Sequence, residues 1–457
     1  MMPIMRDEGE VMGGERRREL PAPPRERHLG LMTALMLVVA SMIGTGAFTT
    51  TGFLLSELPS LSTVLAAWAL GGGIALCGAL AYAELVSALP ENGGEYHLLS
   101  RIYHPALGFV SGWTSLVVGF SAPIAAAALA FGAYFKQLYP WASVSGTACV
   151  LIALLSLLHA WRGSVGGGLQ NWVTAIKLVL IVMFITLGLL HLQGKTSHDE
   201  WAGFDLHTLA SPSFGVALIY VSFAYSGWNA AVYVAGELKQ PEKILPWALI
   251  GGTVLVVLLY CGLNLVFLRA ATPAELAGVL EVGHLTAYKL FGEAGSRIVS
   301  LLVLLALFTS VGALIMTGPR VYEAVGQDYG MLRFLVRRGQ EEHEPVKAIV
   351  LQALLSIAMT FGATFEQLLN YIGFTLALFA MLTVAGVFVL RWREPALPRP
   401  YRAWGYPWTT LAAVLLMAWM LVHELMKSVW VSLAGALTLA LGALLYAFAR
   451  KTASRSA

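Results

Sequence analysis

The chain has 457 residues, of which 58% are hydrophobic and only 12% charged, with 13 Trp and 16 Tyr. Soluble domains carry roughly 25% charge, so much of this surface is built to face lipid, with aromatic rings available to anchor at both interfaces. A net charge of +3 gives no electrostatic footprint for a nucleic-acid partner.

Residues 1–28 are charged, contain proline and lack an apolar core segment, which reads as a disordered cytoplasmic tail without a cleavable signal. The first apolar run then acts as an uncleaved anchor. Apolar runs near the roughly 20 residues that span a bilayer cover 31–55, 62–88, 106–135, 143–161, 168–192, 213–236, 244–268, 298–320, 346–361, 367–390, 408–427 and 430–449. These twelve predict an all-α membrane domain over 29–450, with a short cytoplasmic tail at 451–457. If the N-terminus is inside, 22 of the 29 Lys and Arg fall on the inner side and six outside. This positive-inside bias puts both termini in the cytoplasm.

Two spans carry interruptions, "SMIGTGAF" at 41–48 and "FAYSGWN" at 223–229. A glycine-rich break at bilayer depth frees N–H and C=O groups that lipid cannot satisfy, so it must face protein or a watery cavity. Paired breaks in two halves are a sequence pointer to a transporter's substrate site. The alternative use of these glycines is close helix packing.

Lys177 is the one basic residue on neither side, set in the middle of the fifth span, seven residues after Gln170. A charge at that depth costs a few kcal/mol, so it should face the bundle interior with partners. Nine residues separate it from Gly168, about 13 Å along a helix, too far for easy snorkelling. Glu84, Glu95 and Glu237 fall near expected cytoplasmic helix ends. They read either as charges paired with Arg101, Lys239 or Arg320, or as an inner gate. The cysteines Cys77, Cys149 and Cys261 stand singly, with no CxxC or disulfide pattern. The ten histidines show no metal-ligand spacing, and no GxxxxGK[ST] loop is present. No nucleophile–base grouping points to an enzyme, and neither cofactor nor obligate protein partner is expected.

The breaks, with "AYAELVSALPENGGEYHLLSRIYHPALGFVSGW" at 81–113, "FAYSGWNAAVYVAGELKQPEKILPWA" at 223–248 and "RPYRAWGYPW" at 399–408, resemble the amino acid–polyamine–organocation permeases. The resemblance runs in order over most of the chain. It implies the LeuT-type fold: helices 1–5 (31–192) and 6–10 (213–390) as inverted repeats, with helices 11 and 12 (408–449) outside. It further implies secondary transport of an amino acid, without an enzyme activity. By the same resemblance, the substrate carboxylate meets N–H groups on Gly44, Thr45 and Gly46, where a positive helix end adds attraction, and Ile43 joins them in the substrate-binding set. The ammonium meets carbonyls near Phe223, Ala224 and Ser226, Asn229 touches the substrate, and Phe223 is the gate. The Lys177 amine takes the place that sodium holds in sodium-coupled relatives, bonding carbonyls near Ser41 and Met42. It either substitutes for the ion or carries a proton. No acid is expected near either break or along helix 3 (119–128), which favours a neutral substrate over a cationic amino acid or polyamine. Export, and an amino acid sensor built on the same fold, are the remaining alternatives. A side chain at Gly46 is expected to fill the carboxylate's place without disturbing the fold.

Overall fold

The computed structural model describes residues 29–58, 60–91, 93–162, 167–193, 206–336 and 345–455. The expected tail at 1–28 and the last two residues lie outside them. Among the described residues every regular element is helical, apart from one parallel backbone bridge between Leu29 and Leu238.

The first span is two helices, α1 (Leu31–Met42) and α2 (Gly46–Glu57), separated at residues 43–45. α3 (Leu61–Ala88) follows, then the eight-residue α4 (Glu95–Ile102). The third expected run is α5 (Pro105–Thr114), a π-helical stretch at Ser115–Ser121, and α6 (Ala122–Leu138). α7 (Val144–Arg162) and α8 (Gly167–His191) complete the first half. The second half opens with α9 (Leu206–Leu209) and α10 (Pro212–Tyr225), which gives way to a 3₁₀ helix at Ala230–Glu237. α11 (Pro241–Ala270), α12 (Pro273–Leu276) and α13 (Val282–Asp328) come next. A second 3₁₀ helix (Gly330–Leu335) then leads to α14 (Val346–Gly362), α15 (Phe365–Arg393), α16 (Trp408–Lys427) and α17 (Val429–Arg455).

Ten helical segments among the described residues are long and apolar enough to cross a membrane. The expected spans at 213–236 and 346–361 fall on shorter helices, α10 with 14 residues and α14 with 17. α13 is bent at Gly292, whose φ of +69° is a conformation that side-chain-bearing residues avoid. The expected run begins only at 298 because Lys289, Glu293 and Arg297 interrupt the apolar pattern of the preceding turns.

Packing sorts the helices by depth. α3 and α11 form the most extensive pair. Small residues on α3 permit close approach: a Cβ on Gly72 would stand 2.8 Å from Val257 on α11, and one on Gly71 2.4 Å from Val221 on α10. By contrast α7, α8, α16 and α17 expose leucines and valines along their lengths, such as Val150, Leu187, Leu415 and Leu437. Trp141, Trp161, Trp392 and Trp430 are also exposed, near the helix ends, where amphipathic rings favour the interface. Lipid-facing helices therefore ring a core that contains both interrupted ones.

Candidate functional site: two helix breaks around one cavity

The breaks form where glycine permits a backbone turn, and they touch each other. At the first, α1 ends at Met42, Ile43 leaves helical geometry (ψ +82°), and the Gly44 N–H turns back to the Met42 carbonyl at 2.8 Å. α2 restarts at Gly46, so its opening amides at Gly46 and Ala47 point out past the helix end, while the Phe48 N–H turns back to the Thr45 carbonyl at 3.0 Å. At the second, α10 ends at Tyr225, Ser226 is extended and Gly227 has φ +95°. A Cβ on Gly46 would stand 2.3 Å from Ala224 Cα, and one on Gly227 2.8 Å from the Ser41 carbonyl. Each glycine is needed for the other break's backbone to approach. The expectation for Gly46 is corrected on this point: a side chain there meets the Ala224 backbone, so a bulky substitution disturbs the fold itself.

A cavity of about 130 Å³ opens between the breaks, the scale of one small amino acid. Gly44, Thr45 and Gly46 line it from the first break, and Phe223, Ala224, Ser226 and Asn229 from the second. Ile43 does not; it is fully buried, and its carbonyl accepts a 2.8 Å bond from Lys177 Nζ. The neighbouring Met42 carbonyl accepts Tyr260 Oη at 2.5 Å. Carbonyls freed by the first break are thus met by side chains from α8 and α11. The lysine reaches one carbonyl further along than the resemblance implies; the Met42 carbonyl already accepts both the Gly44 N–H and Tyr260 Oη. Gln170 has no described side chain.

The far wall is the π-helical stretch, which contributes Ser115, Gly119 and Phe120, with Pro123 beyond it. A π turn widens a helix and shifts the register of the residues after it, and such turns concentrate at functional sites. Its one trace in the sequence is Pro123, whose ring cannot donate into the ladder. Ser310 on α13 also faces the cavity, and a Cβ on Gly44 would lie 3.0 Å from its Oγ. Phe223 is buried and packs edge-on against Phe365, which stacks on Phe53 at 5.7 Å. Trp228 packs edge-on against Tyr82 at 4.6 Å. Of the three consecutive threonines, Thr49 bonds back to the Thr45 carbonyl and Thr51 bonds Asn264.

The three glutamates have separate fates. Glu84 is 1% exposed and grips the Arg391 guanidinium through both oxygens, at 2.8 and 2.7 Å. It also accepts the Ala403 N–H at 2.7 Å and lies 3.5 Å from Arg399. Glu237 faces Arg320 at 3.7 Å, while Arg101 pairs with Glu394 instead. Only Glu95 lines the cavity. Its Oε1 accepts Tyr82 Oη at 2.5 Å and Asn229 Nδ2 at 3.0 Å. This overturns the expectation that no acid stands near a break. The contact escapes sequence reasoning because it joins residues 134 positions apart. Among the described residues no group of His, Cys, Asp and Glu could hold a metal ion.

A helical membrane bundle whose two interrupted spans meet around a solute-sized cavity has the architecture of a secondary transporter. The sequence matches the amino acid permease family over residues 29–445, and the chain belongs to that family. It is 29% identical over 402 residues to the serine/threonine exchanger SteT of Bacillus subtilis (strain 168), covering 85% of this chain and 89% of that protein. It is 29% identical to the human large neutral amino acids transporter small subunit 2 (82% and 72% covered). Identity to the rabbit (Oryctolagus cuniculus) b(0,+)-type amino acid transporter 1 is 28% (82% and 78%).

Proposed function

We propose that this amino acid permease carries neutral α-amino acids across the cell membrane by alternating access, without sodium and without an enzyme activity. The observation that carries the reading is the contact of the two breaks around one cavity. There the amides at the opening of α2, at Gly46 and Ala47, suit a carboxylate, and carbonyls at the end of α10 suit an ammonium. In the proposed roles, Gly44, Thr45 and Gly46 hold the carboxylate, Ala224, Ser226 and Asn229 line the rest, and Phe223 closes the pocket. Ile43 contributes through its carbonyl. Lys177 supplies the fixed positive charge that would otherwise require a sodium ion. The relatives named for serine and threonine or for large neutral amino acids support the neutral class.

The arginine-rich end, bearing Arg101, Arg391 and Arg399, is the cytoplasmic one, with both termini there. On this reading twelve spans and an inverted repeat frame the cavity. Glu84, Glu95 and Glu237 close its inner end. Counterflow into proteoliposomes preloaded with unlabelled amino acid tests the proposal. Labelled serine, threonine or leucine should exchange, and lysine should not. Exchange of lysine alone overturns the neutral class, and exchange of none overturns transport.

A further inference from the structure

Glu95 is a buried carboxyl with two neutral partners and no cation. Gly93 and Gly94, both with positive φ, turn the chain just before α4 and set Glu95 at its first position. The turn is tight, since a Cβ on Gly94 would lie 2.1 Å from the Tyr233 ring. Glu95 is 5% exposed. Both of its hydrogen bonds, from Tyr82 and Asn229, arrive at Oε1. Among the described residues Oε2 has no hydrogen-bond partner, and Glu95 lines the cavity. Two donors on one oxygen and none on the other fit a neutral carboxyl, with Oε1 as its carbonyl oxygen and Oε2 holding the proton.

The surrounding ionisable groups leave it so. Tyr82 and Tyr233 face it from α3 and the 3₁₀ helix. On its own helix Tyr96 bonds Asp328, His97 faces Glu91 and Arg101 is held by Glu394. From α15, Arg391 is taken by Glu84 and Arg393 by the Ile102 carbonyl. α4 lies between the second and third spans. Burial there pushes the Glu95 carboxyl up to about 7, although the bonds from Tyr82 and Asn229 pull the other way.

We propose that Glu95 is the binding site of a co-transported proton, a reading that rests on the transport function above. Oε2 takes the proton from water while the cavity is open to the outside and holds it while the site is closed. It returns the proton to water when Asn229 and Tyr82 part from it at the inner end. Solvation sets the direction. The closed site favours the protonated form below about pH 7, and a rehydrated carboxylate near 4.3 releases it at cytoplasmic pH. The zwitterion has no net charge, so each cycle carries one positive charge inward. Lys177 does not line the cavity and keeps its bond to Ile43, which makes it the fixed charge and Glu95 the mobile one.

Two measurements test this. In proteoliposomes holding an internal pH dye, with L-threonine and L-leucine as probes, protons moved per amino acid are counted under a clamped potential. Wild type should move one, Glu95→Gln none, and Glu95→Asp should restore the wild-type ratio. A ratio of zero in wild type, or a wild-type ratio in Glu95→Gln, overturns the proposal. Infrared difference spectra of purified protein against pH need no transport at all. A carboxylic-acid C=O band lost with a midpoint near pH 7, and missing in Glu95→Gln, supports the assignment. Identical spectra for the two proteins overturn it. Should no amino acid enter wild-type vesicles, the transport reading fails separately, and the spectra still decide whether Glu95 holds a proton.

Discussion

Glu84 and Glu95 are both buried at the arginine-rich end of the bundle, eleven residues apart in sequence, and their surroundings are opposite. Glu84 is met by Arg391 at two points, by a backbone amide and by Arg399. That cluster ties the end of α3 to the end of α15 and to the loop before α16. Glu95, facing the cavity, has only a phenol and an amide, and Lys177 at the first break bonds a lone carbonyl. The difference teaches where a membrane protein keeps its charges compensated. Compensated charges hold elements together. Ionisable groups left with neutral partners stand at the breaks and the cavity, where uncompensated charge is costly and such a group is kept for a purpose.

Substitutions can break or sharpen this contrast. The largest expected effect is at Lys177. Lys177→Ala should abolish amino acid exchange in liposomes while the unfolding temperature hardly changes, because removing a charge without a counter-ion removes its desolvation cost too. Lys177→Arg should not restore exchange, since a planar fork does not fit a site built for a compact ammonium. Full activity in Lys177→Ala would make the lysine a bystander. Glu84→Ala should do the reverse, destabilising the protein by about 3–5 kcal/mol by stranding two guanidinium groups. This would be seen as a lower midpoint in a detergent unfolding assay. A Glu84→Ala protein as stable as wild type would remove the clamp from the comparison.

Phe223 lies between these extremes. Phe223→Ala should weaken uptake about tenfold, close to 1.4 kcal/mol, and Phe223→Trp should retain part of it. Normal uptake by the alanine variant would leave Phe223 a packing residue against Phe365. The smallest expected effect is none: replacing sodium by choline should leave wild-type uptake unchanged, because Lys177 already supplies the charge. A strict sodium requirement would overturn that role.

Much of the architecture was legible in the chain. Apolar runs at bilayer length mark the spans because lipid demands internally bonded backbone. The "IGTGAF" and "AYSGWN" breaks stand out because glycine is placed where a membrane helix gains least from it. Lys177 was conspicuous for a simple reason: a charge at mid-span has no innocent explanation. Less legible was the site's lining. The π-helical turn at Ser115–Ser121, the Tyr260 bond to Met42 and the approach of Gly46 to Ala224 leave no periodic trace.

The sequence by itself determined that this chain is a helical membrane bundle with two breaks and one buried cation, since hydropathy, glycine and charge act locally and are read residue by residue. Tertiary structure alone decided which glutamate became a clamp and which came to the cavity. It also decided which carbonyl the lysine reached, and that Gly46 serves the meeting of two backbones. Those outcomes depend on contacts between residues as many as 319 positions apart, where the geometry of packed helices, and not the identity of neighbours in the chain, selects a side chain's partners.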